Sequence, residues 1–485
     1  MFINGEWIDA KHGETRDIIN PFNQDVIANV AEGTKEDVIE AIQVARQTFD
    51  EGDWRKSTGL ERGKLVVRIA ELIERDKEEL AELETLDTGK TLTESLQDME
   101  DIAEVFRFYG GLADKDGGEI IESPIPNSNS KVVHEPVGVC GQITPWNYPL
   151  LQASWKLAPA IATGNTLIIK PSAITPLTTI KVTELIEEAG VPAGVVNLVL
   201  GSGSKLGQEL AENYDVDLVS FTGGMEAGRK VMTAATGNFK KVSLELGGKN
   251  PNVVFSDADF DTAVDQALNA VFFHAGQVCS AGARLIVEDS IHDTFVEELI
   301  RRTKNIKLGN GFHSSTQSGP LISQEHLDNV VNYVQIGKDE GAHLAIGGAR
   351  PQGEEVKDGF FFEPTIFTNC DSSMRIVQEE TFGPILTVEK FHSEPEAIQL
   401  ANDSVYGLAG AVWSEDISKA ERVSNQLRMG TVWINDFHTY FAQAPWGGYK
   451  ASGIGRELGK QGIEEYTEVK HIYRNTKPEP LGWFG

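Results

Sequence analysis

Cysteine is scarce in this chain: Cys140, Cys279 and Cys370 are the three among 485 residues. An odd, sparse set excludes the disulfide framework that staples small secreted domains. It excludes a cysteine-rich zinc site as well, and no metal is expected. Basic charge is short too, with 43 Lys and Arg against 73 Asp and Glu, a formal net charge of −30. A surface of that sign repels nucleic acid and anionic lipid, so neither is an expected partner, while a cationic small molecule is drawn in. No window approaches the ~20 consecutive apolar residues that a membrane span needs. Residues 1–7 lack a basic stretch followed by an apolar block and do not read as a signal peptide, so a cytoplasmic location is the expectation. Low-complexity tracts and internal repeats are missing.

What is present is ordinary in bulk, 40% hydrophobic and 24% charged, and long enough for two or three domains. Residues 34–117 read as helical. Thr34-Lys35-Glu36-Asp37 resembles a capping start ahead of Val38, Ile39, Ala41, Ile42 and Ala45. A second helix is expected over 61–84 and a third after Thr91. From about Lys131 the texture becomes strand–helix alternation. Thr166-Leu167-Ile168-Ile169 and Val195-Val196-Asn197-Leu198-Val199-Leu200 look like buried parallel strands, separated by amphipathic stretches at 177–189 and 205–213. That alternation predicts a doubly wound α/β domain. It resumes after Gly248 with Asn252-Val253-Val254-Phe255, a helix over 260–273 and Arg284-Leu285-Ile286-Val287, a second α/β domain. Residues 120–135, rich in Pro, Ser and Asn, look like an excursion. Its expected partner is 464–474, where Tyr466, Val469, His471 and Tyr473 suggest an exposed strand.

Several residues invite a chemical reading. Cys279 lies in Phe273-His274-Ala275-Gly276-Gln277-Val278-Cys279-Ser280-Ala281-Gly282. Small neighbours leave its sulfur approachable, although a packed, inert thiol is the commoner fate of a cysteine. His274, five residues upstream on a helix, would not face that thiol, so a Cys–His pair is discounted. Glu245 sits among apolar residues in Leu244-Glu245-Leu246-Gly247-Gly248-Lys249-Asn250 at the end of an expected strand. It is either an edge residue facing solvent or a partly buried base with a raised pKa. Asn147, in Thr144-Pro145-Trp146-Asn147-Tyr148-Pro149, either caps a turn or aims an N–H at a developing oxyanion. Gly201-Ser202-Gly203 with Gly207 misses the dinucleotide fingerprint by one residue. Phe221-Thr222-Gly223-Gly224 is a second Gly-rich turn after a strand, and two in succession point to a nucleotide at the carboxyl edge of the sheet.

Seven motifs in order then carry a resemblance that covers nearly the whole chain. They are Pro145-Trp146-Asn147-Tyr148-Pro149, Lys170-Pro171-Ser172, Phe221-Thr222-Gly223, Leu244-Glu245-Leu246-Gly247-Gly248-Lys249, Gly276-Gln277-Val278-Cys279, Glu380-Thr381-Phe382-Gly383-Pro384 and Gly455-Arg456-Glu457-Leu458-Gly459. The sequence resembles the NAD(P)-dependent aldehyde dehydrogenase superfamily, and within it the bacterial betaine aldehyde dehydrogenases that make glycine betaine, an osmoprotectant. The resemblance implies an α/β aldehyde dehydrogenase fold. Residues 1–117 and 137–247 would form a Rossmann-like cofactor domain and 248–451 an α/β catalytic domain. Residues 118–136 and 464–480 would form a small β bridging element that builds a homodimer or homotetramer.

The resemblance also implies roles. Cys279 would be the nucleophile that forms a thiohemiacetal and then a thioester, and Glu245 the base for its hydrolysis. Asn147 and the Cys279 N–H would form the oxyanion hole, and Glu457 would relay protons. Lys170 would bind the adenosine ribose, and Glu380 and Phe382 the nicotinamide end of NAD. Ser172, Trp146, Gly203, Phe221, Thr222, Gly223, Gly224, Leu246 and Gly247 would complete that cofactor site. Tyr148, Trp155, Phe273, Tyr440 and Trp446 would line an aldehyde channel whose rings suit a trimethylammonium group; the plainer alternative is that several of them are core. Two departures stand out. Ala173 replaces a carboxylate usual three residues after the ribose-binding lysine, which suggests some tolerance of NADP, and Gly224 replaces a usual serine. Rival readings are an ω-aminoaldehyde dehydrogenase, which a carboxylate beside the cage would favour, a general aldehyde dehydrogenase, and a catalytically retired structural protein of the same fold.

Overall fold

The computed structural model describes residues 1–115 and 117–484. Asp116, inside the stretch assigned above to the cofactor domain, and Gly485 lie outside the described residues. Five parallel strands form the centre of an eight-stranded sheet, in spatial order Lys241–Glu245, Leu218–Thr222, Val139–Ile143, Thr166–Lys170 and Val196–Leu198. These five thus start in the middle, at Val139–Ile143, and wind outward in both directions. Their residues are mostly apolar and, but for the half-buried Lys241 and Val242, buried, as helices on both sides require. Chain order reverses between Val139–Ile143 and Leu218–Thr222, so a crevice opens beyond the carboxyl ends of these two strands.

A seven-stranded sheet follows, in the order His343–Ile346, Thr365–Thr368, Ile385–Phe391, Arg284–Glu288, Pro251–Val254, Ala409–Trp413 and Thr431–Ile434, with His343–Ile346 alone antiparallel. The carboxyl end of the first sheet, at Glu245, runs within six residues into the amino end of the second, at Pro251. Third comes the small antiparallel sheet. Thr467–Asn475 pairs along its whole length with Ser128–Pro136, which also pairs with Glu119–Ile121. The pairing expected between the excursion and the C-terminal stretch is therefore present. Ile120, Ile121, Val469, Ile472 and Tyr473 are exposed on it.

The structure corrects several boundaries. The helix expected over 61–84 is two helices, Gly59–Arg75 and Lys77–Thr88, broken at Asp76, whose φ/ψ of −101/17° leaves the helical region. The first begins early because Thr58 and Glu61 form a capping box. The stretch over 205–213 opens as a wide turn at Gly203–Gly207 before Gln208–Glu212. The helix over 260–273 stops at Phe272, because His274 and Ala275 adopt φ of 47° and 52°. His274 is accordingly in a kink and not on a helix. The strand placed over 464–474 starts at Thr467, since Gly459–Glu465 is helical. Two hairpin pairings in the first 31 residues, Phe2–Ile3 with Glu6–Trp7 and Thr15–Ile19 with Val26–Ala31, had no clear signature in the sequence.

Candidate active site

Two chambers meet at Cys279. The first, about 550 Å³, occupies the crevice beyond the first sheet. Each of the twelve residues assigned to the cofactor lies on its wall: Trp146, Lys170, Ser172, Gly203, Phe221, Thr222, Gly223, Gly224, Leu246, Gly247, Glu380 and Phe382. Asn147, Glu245 and Cys279 line it too. The second, about 400 Å³, is lined by all five predicted channel aromatics, Tyr148, Trp155, Phe273, Tyr440 and Trp446, and by Cys279 from its other side.

Cys279 is held by the backbone around it. After the kink at His274 and Ala275, Gly276 continues at φ +72°, against the Gly383 carbonyl, where a side chain would collide. Asn250 Nδ2 donates to the carbonyls of Cys279 and Ala281, both at 2.9 Å. Asn147 Nδ2 donates to the Gln277 carbonyl at 2.8 Å. That contact is tertiary and not the local turn cap that was the alternative reading. It engages one amide N–H and leaves the second for a ligand. Burial, then the charges of Glu245 and Glu380, push the Cys279 thiol up to about 12, so it rests protonated at neutral pH.

Glu245 ends its strand buried, which removes the solvent-facing alternative. Its Oε1 has no hydrogen-bond partner among the described residues. Burial, reinforced by the nearby Glu457, raises its pKa well above the carboxylate range. A buried carboxylate without a partner needs either a proton or a water molecule. Glu457 sits behind it. Its Oε1 takes the ammonium of Lys156, which also donates to Thr222 Oγ1 at 2.8 Å, and Ser220 Oγ lies 3.4 Å away. Glu457 Oε2 has no partner among the described residues. Backbone bonds of 2.7 and 2.8 Å tie Glu457 to Trp446 of the aldehyde chamber.

On the first chamber's wall, Lys170 Nζ bonds the Pro171 carbonyl at 2.6 Å, and burial lowers its pKa to about 8. Glu380 accepts the Gly248 N–H at 3.1 Å and is raised to about 7 by burial. A Cβ on Gly247 would strike its carboxylate, so any larger residue there would push Glu380 out of this position. Phe382, at φ 51°, packs edge-on to Trp146 at 5.2 Å, and its carbonyl bonds His326 at 2.7 Å. Gly203 and Gly224 face open space. Gly224 leaves the helix Met225–Ala235 without a side-chain cap, so its first N–H groups are free for an anion.

In the second chamber Trp155, Tyr440 and Trp446 stand edge to face at 5.7–6.4 Å. Phe273 packs on His438 at 5.9 Å. Two carboxylates that the sequence did not announce, Asp98 and Asp101, also line it. Asp101 accepts from the Tyr440 hydroxyl at 2.6 Å and from Gln97 at 3.1 Å. His438, also unforeseen, is buried and lowered to about 4, hence neutral. Lys156 was missed although the sequence carried a signal. It is the one charged residue of the fully buried helix Pro149–Thr163, and an ammonium in such a place requires a partner.

With the geometry in place, comparison with known proteins fixes the lineage. A family model described as the aldehyde dehydrogenase family matches residues 7–472. The chain is 70% identical to the betaine aldehyde dehydrogenase of Bacillus subtilis (strain 168), covering 100% of this chain and 99% of that one. It is 48% identical to the mitochondrial aldehyde dehydrogenase of Homo sapiens, covering 97% and 91%. A crystal structure of betaine aldehyde dehydrogenase from Staphylococcus aureus in complex with NAD+ superposes with a TM-score of 0.99 at 62% identity, covering 100% of this chain and 96% of that one. The chain belongs to the aldehyde dehydrogenase family.

Proposed function

We propose that this enzyme oxidises betaine aldehyde to glycine betaine with NAD+, through a thioester on Cys279. The observation that carries the reading is the position of Cys279, on the shared wall of a glycine-lined crevice and an aromatic chamber. The 70% identity to a betaine aldehyde dehydrogenase supports the substrate. A retired protein has no use for Cys279, Glu245 and Asn147 around one cavity.

The crevice fits a dinucleotide. The uncapped helix start at Gly224 suits a pyrophosphate, Lys170 and Ser172 a ribose, and Glu380 with Phe382 the nicotinamide end. Nicotinamide, when bound, supplies the hydride acceptor. The protein does the rest. Cys279 gives up its thiol proton to solvent in the chamber and adds to the aldehyde carbon, and the free N–H of Asn147 with the Cys279 N–H holds the alkoxide that forms. Glu245, once ionised, takes the proton of the water that hydrolyses the thioester. Glu457 and Lys156 carry that proton inward, away from the reacting carbon.

Trp155, Tyr440 and Trp446 offer ring faces to a cation that has no N–H to donate. Asp98 and Asp101 favour the ω-aminoaldehyde as a second reading. The exposed apolar residues of the three-stranded sheet suit pairing of subunits into a dimer or tetramer, with residues 118–136 and 464–480 as the contact. No helix among the described residues is long and apolar enough to cross a membrane. Formation of NADH with betaine aldehyde, 4-aminobutyraldehyde and propanal tests the substrate. The highest kcat/KM belongs to betaine aldehyde if the reading holds, and to 4-aminobutyraldehyde if the carboxylates decide.

A further inference from the structure

Lys90 lies in the short link between helices Lys77–Thr88 and Leu92–Leu112, and its side chain is wholly buried. A buried ammonium is tolerated only with partners. It has three. Asp98 Oδ2 is at 2.6 Å, Glu84 Oε1 at 3.4 Å, and the centroid of the Tyr148 ring at 4.1 Å. Glu84 is fixed from behind by the Thr178 hydroxyl at 2.7 Å. Two of the three partners, Asp98 and Tyr148, line the aldehyde chamber. Lys90 therefore stands behind the chamber wall with its charge directed at two wall residues.

We propose that Lys90 is a specificity-determining residue: it occupies Asp98 and one face of Tyr148, and so withholds both from the substrate's cationic head. The inference rests on the betaine aldehyde reading and sharpens it. A primary ammonium leaves three water hydrogen bonds behind on entering the chamber and needs charged acceptors to replace them. Asp98 is bonded to Lys90, and Asp101 is bonded to Tyr440 and Gln97. A trimethylammonium group has no N–H to satisfy, so the free faces of Trp155, Tyr440 and Trp446 suffice for it. Lys90 thus converts a chamber with two carboxylates into one that rewards the softer cation.

The test is the ratio of kcat/KM for 4-aminobutyraldehyde to that for betaine aldehyde, with propanal as the uncharged reference for intact chemistry. In Lys90→Met the substrate ammonium replaces the missing counter-ion of Asp98, and the ratio rises about tenfold or more, mainly through KM for the aminoaldehyde. Lys90→Arg restores the wild-type ratio. An unchanged ratio in Lys90→Met that still oxidises propanal overturns the proposal. Should Lys90→Met fail to fold, Asp98→Asn serves. It leaves the Lys90 charge with Glu84 as its one carboxylate partner, on the side away from the chamber, so both cationic aldehydes lose about tenfold relative to propanal; equal retention of all three overturns the proposal. The betaine aldehyde reading fails separately, if wild-type enzyme prefers the aminoaldehyde. The direction in which Lys90→Met moves the ratio decides the role of Lys90 in either case.

Discussion

The two chambers that share Cys279 are built from different materials. The crevice of the first sheet is walled mainly by loops that follow consecutive strands, four glycines among them: residues 144–148 after Val139–Ile143, 172–174 after Thr166–Lys170, Gly203 after Val196–Leu198, Gly223 and Gly224 after Leu218–Thr222, and 246–247 after Lys241–Glu245. The aldehyde chamber is walled by side chains gathered from five distant stretches, around 97–101, 148–155, 273–280, 437–440 and 446. Loops at strand ends, with glycines among them, suit a ligand whose phosphates and ribose need N–H groups and close approach. Side-chain walls are where one substrate is told from another, since each ring or carboxylate can change without moving the scaffold.

Variants at the shared wall sharpen this contrast most. Cys279→Ala removes the nucleophile common to both chambers, and turnover of every aldehyde falls by roughly four orders of magnitude or more. Binding of NAD+ measured by calorimetry is retained, and a variant that keeps more than a tenth of wild-type turnover overturns the thioester. Glu245→Gln comes next. Thioester formation continues, so one NADH per site appears as a burst, followed by a steady state slower by about 10²–10³. The pKa of Glu245 is raised, so its carboxylate, the active base, appears only as pH rises through that value. Wild-type steady-state turnover therefore climbs with pH above the ordinary carboxylate range, and the variant loses that limb. A single-exponential trace without a burst would place Glu245 before hydride transfer instead. Trp446→Ala acts at the aromatic cluster with Trp155 and Tyr440, although the ring also borders the crevice beside Cys279. Losing a ring face costs about 1 kcal/mol of cation attraction, so KM for betaine aldehyde rises several-fold while KM for propanal and NAD+ stays. Equal loss for propanal would make Trp446 core packing.

The same contrast explains what was legible in the sequence. The crevice was readable because its residues come as contiguous motifs at strand ends, where alternation of strand and helix already located them. The five channel aromatics were readable through the resemblance. Asp98 and Asp101 were not, because with Glu94, Gln97, Glu100 and Glu104 they read as the solvated acidic face of an amphipathic helix, and only the fold brings them to the same chamber as Trp155. Lys90 and Glu94 were hidden for a related reason. Glu94 looks like a local capping partner of Thr91, which it is, yet its second oxygen accepts the His274 N–H at 2.9 Å and so ties the helix start to the cysteine loop 180 residues on. The break at Asp76 escaped notice because the apolar period runs on across it, each helix burying its own stripe.

The smallest expected effect is confined to the crevice, at Ala173. Its side chain lines the chamber three residues beyond Lys170, on the loop that also carries Ser172. A carboxylate there would accept from a ribose hydroxyl and repel a 2′-phosphate, and both terms act in the same direction. Ala173→Glu therefore lowers KM for NAD+ a few-fold and raises it for NADP+. The ratio of kcat/KM values for the two cofactors shifts toward NAD+ by about tenfold, and kcat with saturating NAD+ hardly moves. The aldehyde preference should be untouched, because Ala173 lines the crevice and is not among the residues that line the aromatic chamber. A cofactor ratio identical to wild type would mean that position 173 does not meet the ribose. A change in aldehyde preference would mean that the two chambers are not separable at Cys279, which would undo the contrast between the loop-built crevice and the side-chain-built chamber.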